Sequence, residues 1–97
     1  MKHTITLLLI LTISALAHAQ PPVEATCRTC HGAAGAKPIV PSYPKLNGQN
    51  KAYLASSLIA YRDGKRTGGL AAVMTVQASK LSDAEIEALA EYYSSQN

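Results

Sequence analysis

The sequence predicts an all-α chain: three main helices and long loops wrapped around something that is not polypeptide. Three observations lead there. No segment shows the period-two alternation of a half-buried strand. Two segments carry helix start and stop signals around apolar residues at helical spacing. And the chain, 97 residues with no Phe, no Trp and five Tyr, is too poor in large apolar side chains to close a core unaided, since domains this small commonly borrow a disulfide, a metal or a cofactor.

The opening MKHTITLLLILTISALAHA has the make-up of a secretory signal peptide. Lys2 gives a positive start, Ile5 to Ala17 form an apolar run interrupted only by Thr and Ser, and Ala17-His18-Ala19 fits the small-x-small cleavage rule. The run is shorter than the ~20 apolar residues a spanning helix needs. Residues 1–19 are therefore expected to be removed before Gln20, leaving one domain over 20–97 with no membrane anchor.

Within that domain, Pro21-Pro22 suits a first helical turn, and VEATCRTCH continues it toward Gly32. GAAGAKPIVPSYPKLNGQN is rich in Gly and Pro and reads as an irregular loop, unusually long for a small domain unless it encloses something. NKAYLASSLIAYRDG is the next helix, with Asn50 as N-cap, Gly64 just past the C-terminus, and Leu54, Leu58 and Tyr61 as its apolar stripe. KRTGGLAAVMTVQASK is read as a second loop, oddly apolar from Leu70 to Val73. In the last helix Ser82-Asp83-Ala84-Glu85 makes a capping box, Leu81 can staple onto Ile86, and Ile86, Leu89, Ala90 and Tyr93 recur on one face.

Charge excludes more than it suggests. The formal net charge is +3, too small and too dispersed for nucleic-acid binding. Lys37, Lys45, Lys51, Arg62, Lys65 and Arg66 precede a last helix that carries Asp83, Glu85, Glu87 and Glu91, a split whose default meaning is two solvated faces.

The chemistry lies in CRTCH. A structural zinc site needs four ligands, usually in two separated pairs, whereas residues 20–97 offer Cys27, Cys30 and His31 alone. A thioredoxin-like dithiol needs strands around it. A plain disulfide is compatible with an oxidising compartment, yet would constrain the unfolded chain very little. Haem c attachment explains more: thiols at i and i+3 can each add to one vinyl group of a single porphyrin, and the histidine directly behind can offer Nε2 to the iron. The porphyrin would also fill the deficient core.

For the sixth iron ligand no second histidine follows the leader, and Met74 is the one methionine left. A lone methionine is often a flexible core filler, but its place in an apolar stretch ahead of the last helix makes it the expected ligand. His/Met ligation raises the reduction potential. An iron saturated in this way passes electrons rather than binding substrate, so one-electron carriage is expected in place of enzymatic turnover.

The segments CRTCHGAAG, PSYPKLNGQ with the helix ending YRDGKR, and MTVQASKLSDAEIEALAEYY together resemble a class I cytochrome c, and within it the small bacterial periplasmic carriers. That likeness implies a periplasmic protein of the class I cytochrome c fold with one haem c. Cys27 and Cys30 would carry the thioethers, with His31 proximal and Met74 distal. It implies that Pro41 is the family proline whose carbonyl takes a hydrogen bond from the histidine; the alternative is a loop stiffener, with Pro38 and Pro44 close by. Tyr92 or Tyr93 would pack the last helix on the first, although the segment before Cys27 is short for the family's first helix.

Three functions compete. The leading one is a periplasmic electron shuttle serving protein redox partners, donor and acceptor, with Lys45, Lys51, Arg62, Lys65 and Arg66 ringing the haem edge. The second is the small cytochrome subunit of a periplasmic dehydrogenase or oxidase. The third is a haem sensor or peroxidase with an open iron site.

Overall fold

The computed structural model describes residues 2–10 and 19–97. Residues 11–18, which include Ala17 and His18 of the expected cleavage motif and most of the apolar run, lie outside the described residues. Among the described residues there are four helices and no strand, and no helix is long and apolar enough to cross a membrane.

Helix α1 spans Glu24–His31. The two prolines precede it, and the Glu24 N–H donates to the Pro21 carbonyl at 2.9 Å, so the entry turn is satisfied before the helix begins. Glu24 in the first turn and Arg28 in the last complement the helix dipole. Gly32 ends it at φ +82°, and a Cβ there would collide with the Lys37 carbonyl. Only glycine lets the chain reverse so tightly behind the histidine.

A single 3₁₀ turn, Ala33–Gly35, follows, and then the expected irregular loop. It is pinned back onto its start by Ile39 N–H to Cys30 carbonyl at 3.0 Å and Leu46 N–H to Gly35 carbonyl at 2.8 Å. Helix α2 spans Lys51–Arg62; the Asn50 side chain caps it by accepting from the Tyr53 N–H at 3.0 Å, and Gly64 stands beyond its end at φ +68°. Both signals act as read from the sequence.

The stretch read as a second loop is in part a helix, α3, over Ala71–Ala78. Its residues are apolar nearly all round, so no polar face marks a 3.6-residue period. Ala at three of its eight positions favours the helix, and packing on α2 holds it there. Three main helices are thus joined by a short fourth.

Helix α4 spans Asp83–Ser94 with the capping box complete: Ser82 Oγ accepts from the Glu85 N–H at 3.1 Å and Glu85 Oε1 from the Ser82 N–H at 3.0 Å. Its stripe is buried throughout, and Leu89, Ala90, Tyr92 and Tyr93 join Leu54 of α2 in the core, with Leu81 packed at the edge. Ion pairs tie the outer faces of α2 and α4: Lys51 to Glu87 at 2.7 Å and Glu91 at 3.0 Å, and Arg62 to Asp83 at 2.6 Å. Leu89→Ala should cost about 2–5 kcal/mol, read as a lower midpoint in urea unfolding with an unchanged slope.

The polypeptide core is small. Its largest fully buried side chains are Ile86, Leu89 and Glu24, one of them charged, while Ile39 (64 %), Leu70 (51 %) and Val76 (57 %) stay exposed.

Candidate functional site

Helix geometry assembles half of the site. Cys27 and Cys30 lie three apart on α1 and so share a face. Both are half-buried and neither is in a disulfide. Burial is the largest influence on the Cys27 thiol and pushes its pKa up, against a hydrogen bond with Tyr93 that lowers it.

His31 closes α1 and is 6 % exposed. Its Nδ1 lies 2.7 Å from the Pro44 carbonyl. A carbonyl can only accept, so Nδ1 carries the proton and Nε2 presents its lone pair. The imidazole is fixed in the tautomer and orientation that a metal ligand needs.

The proline assignment is corrected here. The carbonyl that holds His31 belongs to Pro44, not Pro41. The Tyr43 N–H donates to the Val40 carbonyl at 3.1 Å, so Pro41 sits at the corner of a turn, the position its fixed φ suits, and is exposed. The chain returns from that turn to present Pro44 to the histidine. The Tyr43 ring lies 6.3 Å from the imidazole, centroid to centroid. Beside them a cleft of about 570 Å³ is lined by residues 38–41 and 43–45.

Met74 is half-buried on α3, a helix whose packing partner is α2. A second cleft, about 390 Å³, opens between residues 64–69 and the α3 residues Ala72, Thr75 and Val76. Its lining and the exposed Leu70, Val73 and Val76 make this side apolar.

The donor set fits a haem c. It comprises two free thiols on one helical face, an imidazole with Nδ1 engaged and Nε2 free, and a thioether on a separate element amid uncovered aliphatic residues. That chemistry binds iron through soft sulfur and imidazole and holds a porphyrin by thioethers.

The expected basic ring is reduced. Lys51 and Arg62 are held in the α2–α4 ion pairs, and the Arg66 guanidinium lies over the Tyr61 ring at 4.7 Å. Lys45 lines the cleft beside Pro44. Long-range pairing decided which cations stay available, and sequence spacing carries no signal for it. Pro44, named in the sequence only as a neighbour of Pro41, takes the role expected of Pro41, and Glu24 was passed over because its spacing to Arg28 looks like an ordinary solvated i,i+4 pair.

Comparison with known proteins points the same way. A family model described as cytochrome C oxidase, cbb3-type, subunit III matches residues 15–92. Cytochrome c-554(548) of Halomonas halodenitrificans is 55% identical over 71 residues, covering 73% of this chain and 84% of that protein. A thiosulfate dehydrogenase electron acceptor of Thiomonas intermedia is 45% identical over 76 residues, 78% of this chain and 34% of that protein. Cytochrome c4 of Pseudomonas aeruginosa is 39% identical over 101 residues, 98% of this chain and 48% of that protein. The chain thus spans most of the first relative and between a third and a half of the other two.

Proposed function

This chain belongs to the class I cytochrome c family, and from that membership we infer that it is a one-electron carrier of the periplasm, exported by residues 1–19 and working between protein redox partners. Its cofactor is haem c. The observation that carries the reading is the CRTCH unit on α1 with His31 Nδ1 bound to a carbonyl.

Bound haem supplies reversible exchange of one electron between ferric and ferrous iron. The residues of the chain do the rest. Cys27 and Cys30 form the two thioethers, which keep the cofactor in an exported protein. His31 gives Nε2 to the iron, with Pro44 fixing the ring so that little rearrangement accompanies a change of oxidation state. Met74 gives a thioether sulfur, which raises the potential. Leu70, Val73 and Val76, exposed on and beside α3, would offer apolar cover to a bound ring, which would further disfavour the more highly charged ferric form.

A reduced-minus-oxidised visible spectrum of the exported protein tests this. The expected result is a low-spin c-type haem with the weak sulfur-to-iron charge-transfer band; a colourless, iron-free, compact protein would overturn it. Lys45 is proposed to contribute to docking. Lys45→Ala should slow oxidation by hexacyanoferrate(III) at low ionic strength severalfold, and Lys51→Ala should change it less, with the difference vanishing in high salt.

A second reading, service as the small cytochrome of a larger dehydrogenase or oxidase, is supported by the likeness to a thiosulfate dehydrogenase electron acceptor and to the cytochrome C oxidase subunit family. Co-purification of a larger subunit from the native periplasm would select it.

A further inference from the structure

Glu24 has no exposed surface, and electron carriage as described above makes no use of it. Its carboxylate takes three hydrogen bonds: from Gln20 Nε2 at 2.7 Å and Arg28 Nε at 2.8 Å on Oε2, and from the Tyr93 hydroxyl at 2.9 Å on Oε1. Gln20 and Arg28 give it N–H groups and Tyr93 its O–H, a set that an ionised carboxylate accepts in full. Glu24 precedes Cys27 by one helical turn, which places the two on the same face of α1. Cys27 packs against the core cluster that contains Tyr93, while its own thiol donates to the Val23 carbonyl at 3.8 Å. The buried carboxylate and the phenol of α4 that it holds therefore lie beside the first cysteine of CRTCH in the core.

We propose that Glu24 is a positioning residue for electron transfer: held by Gln20, Arg28 and Tyr93, it sets a fixed buried negative charge one turn from the haem attachment point, lowering the reduction potential. The proposal rests on the reading that Cys27 carries haem.

Charge and burial determine the sign. Ferric haem carries one more positive charge than ferrous, so a nearby anion favours the oxidised form. Arg28 opposes this, but its side chain is 38% exposed and that of Glu24 0%. Water screens the guanidinium more than the carboxylate, and the field left inside the protein is negative. Burial also pushes the Tyr93 phenol far above its ordinary pKa, so the tyrosine remains a neutral donor and adds no charge of its own.

The experiment is a redox titration of haem-loaded protein. Glu24→Gln should raise the potential so that, at a fixed ambient potential, the ratio of reduced to oxidised protein rises at least threefold, roughly 30 mV at 59 mV per tenfold. The shift should persist in high salt, because the charge is buried. Should Glu24→Gln not fold, the double variant Glu24→Leu with Tyr93→Phe removes the charge and its phenol donor together. Exchanging a buried polar set for apolar groups of similar size is often near neutral in stability, and its potential should also rise. A folded, haem-loaded variant with the wild-type potential, a negative shift, or a shift abolished by salt would each overturn the proposal, and a lower unfolding midpoint with no change in potential would reduce Glu24 to a helix tie. Failure of the underlying reading shows separately, as wild-type protein without covalent haem.

Discussion

Met74→Ala should leave the chain folded and haem attached while lowering the reduction potential by on the order of a hundred millivolts or more, within the ~0.8 V that haem axial ligands span. Alanine is the best helix former, so α3 keeps its backbone and loses only the thioether. That sulfur is the proposed soft ligand favouring ferrous iron. Its removal should also open the iron, so that carbon monoxide binds the reduced protein at neutral pH and the charge-transfer band disappears. Redox titration and a carbon monoxide difference spectrum check both effects. Unchanged potential in the folded variant would reject Met74 as a ligand and leave it as packing between α3 and its neighbours.

Replacing both cysteines, Cys27→Ala with Cys30→Ala, is expected to have the other large effect. Haem should no longer survive denaturation with the chain, so the mass of the denatured product falls to that of the bare polypeptide. Folding should fail with it. The buried apolar set is Leu54, Ala71, Ala78, Ile86, Leu89, Ala90 and two tyrosines, little for a domain of this length. Far-ultraviolet circular dichroism should show much of the helix lost, since α1 and α3 are only eight residues each and isolated helices that short are marginal. A single replacement, Cys30→Ala, should retain one thioether and partial helicity. Native-like helix content in the double variant would show that polypeptide packing suffices without the porphyrin.

The two experiments separate roles that the fold places on different elements. Attachment and the proximal imidazole belong to α1 and the loop that returns to it. Met74, the proposed distal ligand, lies on α3, which packs on α2. Helix α4 couples the halves, through the core it shares with α2 and through the Tyr93 hydroxyl on Glu24.

What the amino-acid sequence determined by itself was whatever local chemistry encodes. Asn50, Gly64 and the Ser82–Glu85 box placed helix ends because each cap bonds backbone within four residues of itself. The alternation of Ile86, Leu89, Ala90 and Tyr93 placed the buried face of α4, and CRTCH named the cofactor because its attachment chemistry occupies five consecutive residues. The tertiary structure alone decided the rest. A carbonyl carries no side-chain identity, so the choice of Pro44 over Pro41 depended on how the 40–43 turn directs the chain. Helix α3 had no polar face to announce it and exists through packing on α2. Lys51 and Arg62 were withdrawn from the free surface by acids some twenty or more positions away, and Glu24 became a buried ion through a tyrosine 69 residues distant. Pairing over such separations depends on how the helices meet, and no local pattern records it.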